Sequence, residues 1–448
     1  MIRMKKQTLM TEGNIWKQII LFSIPLILGN LMQQLYNTAD MIIVGQFVGS
    51  NALAAVGSSG SLIGLLIGFC TGTSAGAGVV IAQGYGAKKE RDVERAVHTT
   101  MALALILGAV VMVIGILFSP QILQWMGTPK AVLQESILYL RIYFCGMIPG
   151  IVYNMSAGIL NAVGNSGRSL VYLAIASVTN IVLDLVFVGW LDLGVAGVGI
   201  ATGLSQVISC ICIVGYMMKT NDMYKVHLRK IYCHPDMAKK IIAIGLPTGI
   251  QNMVLSLSNV LIQSGVNGFG EKAMAGFAAY MKIDGFNILP LMSFSMAATT
   301  FTGQNVGAKR IDRVKKGMWV TLILGVGYTI LSGAFLLTFA EPIIGIFTND
   351  SIVIQYGKLA AKFFCPFYFL LAVMHEQAGT IRGTGKTIPP MAVILFALCV
   401  VRVFWMQAVA PHVTMIAGIY VIYPISWTIG AVLMSLYSWK GKWLPQSM

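Results

Sequence analysis

Long apolar runs recur from one end of this chain to the other, and a chain so patterned is suited to folding in a membrane. Crossing a hydrocarbon core takes about 20 mostly apolar residues. Twelve runs of that length fit, at about 17–45, 53–84, 96–118, 133–158, 169–190, 194–217, 240–266, 274–305, 317–340, 353–380, 388–410 and 415–438. They leave no stretch for a sizeable soluble domain. Only 10% of the residues are charged, where a soluble domain carries about a quarter, and the mean hydropathy is +0.77. A backbone in lipid must satisfy its own hydrogen bonds, so the runs are expected to be helices. The first residues are basic and the first run is long, with no small-residue cleavage site after it, which predicts no signal peptide.

The net charge of +15 would suit nucleic acid were it not for where the cations lie. Basic residues fall in alternate loops: Arg3, Lys5, Lys6 and Lys17; Lys88, Lys89, Arg91 and Arg95; Arg168; then Lys219, Lys225, Arg229, Lys230, Lys239 and Lys240. Further on come Lys309, Arg310, Arg313, Lys315 and Lys316; Arg382 and Lys386; and Lys440 and Lys442. The opposite loops hold only Lys130, Lys272 and Lys358. Such a bias predicts both termini on the cytoplasmic side of a plasma (inner) membrane. The cations read as topology signals, so no nucleic-acid partner is expected; the partners expected are membrane lipid and small molecules, with no obligate protein partner.

The chain also repeats itself. Gln83-Gly84-Tyr85-Gly86-Ala87-Lys88 returns as Gln304-Asn305-Val306-Gly307-Ala308-Lys309, 221 positions on, and the same offset carries Gly158 to Gly379 and Gly164 to Gly385. An offset of 222 carries Pro25 to Pro247, Asn30 to Asn252 and Asn37 to Asn259, with the slip near Ser50 and Glu271. The expected fold is therefore an all-α polytopic membrane protein. Twelve transmembrane helices would form two homologous six-helix bundles, related by a pseudo-two-fold along the membrane normal. The expected boundaries are 1–218 for the first lobe, 219–239 for a cytoplasmic linker and 240–448 for the second lobe. Pro25 and Pro247 fall inside the first helix of each half, where proline removes a backbone hydrogen bond and permits a bend. They are the candidate hinges.

Polar groups at bilayer depth are costly and mark substrate or ion pathways by default. In the first helix Asn30, Gln33, Asn37 and Asp40 form one stripe, and the seventh helix repeats it with Asn252, Ser256, Asn259 and Gln263. The acid is not repeated, because Asp40 corresponds to Ile262. In the fifth helix Asn180 and Asp184 share a face. Asp40 and Asp184 each lie about five residues before the outer end of an outward-running helix, roughly 8 Å in at 1.5 Å per residue. Two carboxylates close together away from water cannot easily both ionise, so one would retain a proton. The same acids, with amide and hydroxyl oxygens, equally suit a cation such as Na⁺. The second half offers Lys282 and Asp284 in the eighth helix, His375 and Glu376 in the tenth and Arg402 in the eleventh. Lys282 and Arg402 offer partners for Asp284 and Glu376, and a neutralised structural network and a transport site both remain open.

No glycine-rich phosphate loop precedes Lys-Ser or Lys-Thr after a strand, so ATP-driven transport by this chain alone is not expected. The seven cysteines show no pairing or metal spacing and read as small apolar fillers. No cofactor, metal or enzymatic role is expected. The 26 methionines, 20 phenylalanines, 16 tyrosines and 8 tryptophans would suit a cleft for flat apolar cations, although they are also ordinary packing material.

At several of these positions the sequence resembles the multidrug and toxic compound extrusion (MATE) family. The matching pieces are Leu35-Tyr36-Asn37-Thr38-Ala39-Asp40, Gln83-x-x-Gly86-Ala87, Asn180-Ile181-Val182-Leu183-Asp184 and Gly194-Val195-Ala196-Gly197-Val198-Gly199-Ile200-Ala201-Thr202. The second half adds Gln304-x-x-Gly307-Ala308 and Arg382-Gly383-Thr384-Gly385. The resemblance implies a two-lobed, twelve-helix exporter of cationic or amphipathic drugs in exchange for H⁺ or Na⁺. It implies a first-lobe cation site at Asp40, Asn180, Asp184 and Thr202, with Tyr36, Tyr139 and Asn154 nearby. The pattern is most similar to the bacterial and archaeal DinF-type branch. In two places it departs from the family. Leu185 stands where proline often follows the aspartate, and the seventh helix lacks the acid that a sodium-coupled branch uses.

A flippase for a lipid-linked saccharide is the alternative. It would require a cationic central cavity, to which only Lys282 and Arg402 are placed to contribute. A channel or non-transporting receptor is a third reading, against which the paired halves and buried acids argue.

Overall fold

The computed structural model describes residues 9–444, so Arg3, Lys5 and Lys6 of the expected basic tail lie outside the described residues. The long elements are all helices. In the first half they are α1 (Ile15–Phe47), α2 (Ser50–Gly86), α3 (Glu90–Trp125), and α4, which runs as Lys130–Cys145 and Met147–Ala162. Then come α5 (Ser166–Asp184, continuing as a π-helical turn over Leu185–Trp190) and α6 (Gly194–Lys219). The second half has α7 (Pro235–Asn267), α8 (Glu271–Gly307), α9 (Ile311–Thr338) and α10 (Ser351–Phe364 and Tyr368–Gly383). It ends with α11 (Ile388–Leu395, a π turn over Phe396–Val400, and Val401–Ala408) and α12 (Ile422–Lys440).

Among the described residues ten helices are long and apolar enough to cross a membrane, and the bent α4 makes an eleventh. The twelfth, α8, has 37 residues but also carries Lys282, Asp284 and Asn287. The expected all-α, twelve-helix fold of a multi-pass membrane protein is the one observed. Local sequence explains the breaks. Gly146 interrupts α4, the two parts meeting at 52°, and Pro149 sits in the first turn of the second part, where a missing N–H costs nothing. At the corresponding place α10 is broken by a 3-10 turn, Cys365–Phe367, that contains Pro366.

The repeat is visible in backbone and side chains alike. Left-handed conformations recur 221 positions apart at Gly49 and Gly270 (φ 108° and 94°), Lys88 and Lys309 (55° and 59°), and Gly164 and Gly385 (86° and 90°). For a lysine that conformation costs about 1–2 kcal/mol, so its recurrence marks the same tight exit after Gln-x-x-Gly-Ala in both halves. Ser74 Oγ donates to the Asn154 carbonyl at 3.0 Å, and Ser295 Oγ donates to the His375 carbonyl at 2.7 Å. Both serines lie where a side chain on Gly158 or Gly379 would have to go.

Contacts divide the described residues into two compact units, one holding 24–249 and the other 10–23 with 250–444. This division departs from the expected boundaries in two segments, and each has a physical reason. In the first unit the start of α7 belongs with α2 and α3. Gly72 and Gly76 of α2 face Gly249 and Gly245 of α7 backbone to backbone. The connecting segment and the first turn of α7 are tied to α3 by Arg95–Asp236 at 2.7 Å, Lys230–Glu94 at 2.9 Å and the His227 amide donating to His98 Nε2 at 3.0 Å.

In the second unit, residues 10–23 are held by Gln304, Asn305 and Arg313. The Met10 amide donates to Gln304 Oε1 at 3.0 Å, and Asn305 Nδ2 donates to the Met10 carbonyl at 3.1 Å. Arg313 donates to the carbonyls of Gly13 at 2.9 Å and Met10 at 3.1 Å and to Gln18 Oε1 at 3.0 Å. Arg313, expected as one more cytoplasmic loop charge, is instead a buried clamp in the first turn of α9. Arg313→Ala is expected to raise amide exchange at Met10 about tenfold or more, the loss of one charge-assisted bond of about 1.5–3 kcal/mol being enough. Arg313→Lys should not restore protection, because an ammonium cannot span the same acceptors. Exchange measured by mass spectrometry checks this, and full protection in the lysine variant would reduce Arg313 to a topology charge.

Candidate functional site

Within the first unit, α1, α4, α5 and α6 bring one constellation together. Asp184, the last α-helical residue of α5, is completely buried, and neither carboxyl oxygen has a hydrogen-bond partner. Asn180, one turn earlier, is 1% exposed with its amide oxygen and nitrogen also unpaired. Asp40 of α1 interacts directly with Asp184, and its Oδ1 is buried without a donor. Tyr36 lies within interaction range of Asp40 and Gln33, and Tyr139 of α4 within range of Asp40, Asp184 and Tyr36. Among the described residues no lysine or arginine pairs with either acid. An apolar cluster of Ile43, Val44, Val56, Val188, Val195 and Val198 packs with Tyr139. Directly after Asp184 the helix loosens into a π turn, a local widening found often at functional sites. Leu185 opens that turn, so α5 is irregular there without the proline.

Beside the acids is a cleft lined by Gln33, Tyr36, Tyr143, Asn154, Thr202 and Gln206 with apolar neighbours. Of the expected residues, Gln33, Tyr36, Asn154 and Thr202 are on its wall. Asp40, Asn180, Asp184, Tyr139, Asn30 and Asn37 are not, and Tyr36 connects wall to acid pair. Thr202 Oγ1 donates to the Val198 carbonyl at 3.0 Å, which leaves its oxygen free to accept. Sequence reasoning missed Gln206 and Tyr143. Gln206 stands four residues after Thr202, and that spacing within an apolar helix was a usable signal.

The second-unit candidates form a different arrangement. Asp284 accepts from the Tyr368 hydroxyl, which is bonded to Tyr280 at 2.7 Å. Arg402 donates to Asn259 Oδ1 and Ser426 Oγ, both at 3.2 Å, and lies over the Tyr423 ring at 4.5 Å. It interacts with Asp284 without forming an ion pair. Ser256 Oγ bonds to the Asn252 carbonyl of its own helix. Three expectations need correcting. Lys282 is exposed and pairs with neither acid. The charged neighbour of Glu376 is Arg382, not Lys282 or Arg402. Arg382 itself, expected in a loop, lies in the last turn of α10 and donates to Ser295 Oγ at 3.1 Å. His375 and Glu376 are buried in the packing of α10.

The model of the MatE family matches residues 25–186 and 247–406, most of both halves. The chain belongs to the MATE family. One relative, the "Probable multidrug resistance protein YoeA" of Bacillus subtilis, is 29% identical, the match spanning 96% of each chain. The "Multidrug export protein MepA" of Staphylococcus aureus is 22% identical over 92% of this chain and 94% of its own. A solved structure described as the "outward-facing conformation of a multidrug resistance MATE family transporter" superimposes with a TM-score of 0.90. It is 23% identical and covers 97% of this chain and 98% of its own, and it establishes the MATE fold.

Proposed function

We propose that this MATE protein is a secondary exporter of cationic or amphipathic organic compounds, driven by inward flow of a coupling cation through the Asp40–Asp184 pair. The observation that carries this reading is the pair itself, two interacting acids with no lysine or arginine partner among the described residues, beside a cleft with polar groups on its wall. The direct approach of the acids favours H⁺ over Na⁺ as the coupling ion, since one shared proton relieves their repulsion. Asn180 and Thr202 would assist by presenting oxygens to whatever cation is bound. Loading the pair removes negative charge next to Tyr36 and so weakens the hold of the cleft on a cationic substrate. Exchange requires such a difference, because a ligand shifts an equilibrium only by binding its states unequally. Pro25 and Pro247 are the proposed hinges, and both lie within two residues of the points where α1 and α7 pass from one compact unit to the other. The inner membrane, with cytoplasmic termini, is the proposed setting.

Flipping of a lipid-linked saccharide is not favoured. Among the described residues no lysine or arginine lines the cleft, and Arg402 is occupied by Asn259, Ser426 and Tyr423. Purified protein in vesicles is expected to move a fluorescent organic cation when a pH gradient is imposed, and not when a Na⁺ gradient is imposed at equal pH. A dye flux driven only by Na⁺ would replace the proton, and no flux under either gradient would remove the antiport reading.

A further inference from the structure

The second unit contains an acid that neither the cleft nor the Asp40–Asp184 pair uses. Glu376 on α10 is 0% exposed, and neither of its carboxyl oxygens has a hydrogen-bond partner. It lies against the bare backbone of α9: a Cβ on Gly325 would come 3.0 Å from Glu376 Cγ and 3.1 Å from Oε1. The glycine is therefore a notch that admits the carboxyl. Nearby hydroxyls are turned elsewhere, Thr329 Oγ1 to the Gly325 carbonyl at 2.9 Å and Thr380 Oγ1 to the Glu376 carbonyl at 3.1 Å.

The charged surroundings are sparse. On α10 itself, His375 and Arg382 are the neighbours, and Arg382 interacts with Glu376 while its Nη2 donates to Ser295 Oγ. The charged residues of α9, Asp312, Arg313, Lys315 and Lys316, are confined to its first turns, far along the helix from Gly325. On α8, Asp284 is engaged by Tyr368 and Lys282 is exposed, and α12 has a single charge, Lys440, at its end. Glu376 makes no ion pair with any of them. Across the repeat the same position is Met155, which is 1% exposed. The scaffold is thus satisfied by an apolar side chain here, and the acid is an addition to it.

An ionised carboxylate with no donor in an apolar interior is far more costly than the neutral acid. We propose that Glu376 is a second proton-binding site, loaded and emptied during transport separately from the Asp40–Asp184 pair. On emptying, the carboxyl O–H bond breaks, the proton passes to water, and Arg382 is the cation placed to balance the carboxylate left behind. The role in transport rests on the antiport reading; the site does not.

Wild-type protein treated with a hydrophobic carbodiimide, which attacks protonated carboxyls, should be modified at Glu376 in acid buffer and spared in alkaline buffer, as read by peptide mass spectrometry. No modification at any pH in folded protein would overturn the site. In vesicles, Glu376→Gln and Glu376→Met should keep substrate affinity within about twofold. Both should release fewer protons when substrate is added and lose one step from the pH dependence of export. Merely structural roles would change melting temperature and leave proton counts alone. Equal proton release in wild type and both variants would overturn the role of Glu376. Labelling at Glu376 with no proton release from wild type would instead sink the antiport reading while supporting the site.

Discussion

Asp40→Asn and Asp184→Asn proteins should each remain folded in the membrane and should each lose export, down to the flux of vesicles without protein. Folding should survive because asparagine has nearly the shape of aspartate. Neither oxygen of Asp184 is held by a donor from elsewhere in the protein, and the new amide can donate to the acid that remains in place of the shared proton. Export should fail because a single carboxylate beside a fixed amide has no reason to hold a proton across the cycle. Without loading and unloading, the cleft binds substrate equally well in both states, and uniform binding drives nothing. Substrate affinity at fixed pH should change far less than flux. Export at the wild-type rate in either variant would take that residue out of the coupling site.

An equally large effect, on folding and not on coupling, is expected where α2 crosses α7 in the first unit. Gly72 and Gly76 are four apart, as are Gly245 and Gly249, and each pair faces the other helix. A Cβ on Gly245 would come 2.9 Å from Thr73 Cα, and one on Gly76 would come 2.6 Å from the Ile241 carbonyl oxygen. Small residues at this spacing let two helix backbones pack closely in lipid, where no hydrophobic effect draws helices together. A side chain tip can swing away from an intruding atom, whereas a helix backbone cannot. Gly76→Val and Gly245→Val should therefore cost about 3 kcal/mol or more, a large share of a total margin of about 5–15 kcal/mol. Little monodisperse protein should be recovered on size-exclusion chromatography, and the alanine variants should melt earlier. Gly64→Ala is the control, since nothing lies within 4 Å of its missing side chain. Wild-type melting in Gly76→Ala and Gly245→Ala would show the crossing to be loose.

Much of this architecture is written in local pattern. The span positions follow from hydropathy, and the offset of 221 pairs Lys88 with Lys309 and Gly164 with Gly385, which share a left-handed backbone. Asp40, Asn180 and Asp184 stand out because polar groups are conspicuous against lipid-compatible neighbours, whereas Thr202 is indicated only by the family resemblance. Pattern failed where a residue acts over long sequence distances. Arg313 and Arg382 looked like further members of the basic loops, because charge counting does not register that one guanidinium holds a segment 300 residues away and another reaches Ser295. Lys282 was matched to acids by charge alone, and its helix face carries it away from them. The two glycine pairs at α2 and α7 are plain in the sequence as Gly-x-x-x-Gly, but which helices they join depends on three-dimensional packing.

The division of α1 and α7 between the compact units has a consequence for how this chain matures. The sequence repeat breaks in the segment joining α6 to α7, and a duplication of a six-helix ancestor would have been fused there. The compact units break elsewhere, after Ser23 and after Gly249. During synthesis the first half must therefore wait: residues 10–23 have no Arg313, Asn305 or Gln304 to dock on until α8 and the start of α9 have been made. The first unit is likewise incomplete until the opening turns of α7 arrive. Neither translated half is a finished folding unit, and the two become complete only as products of one polypeptide.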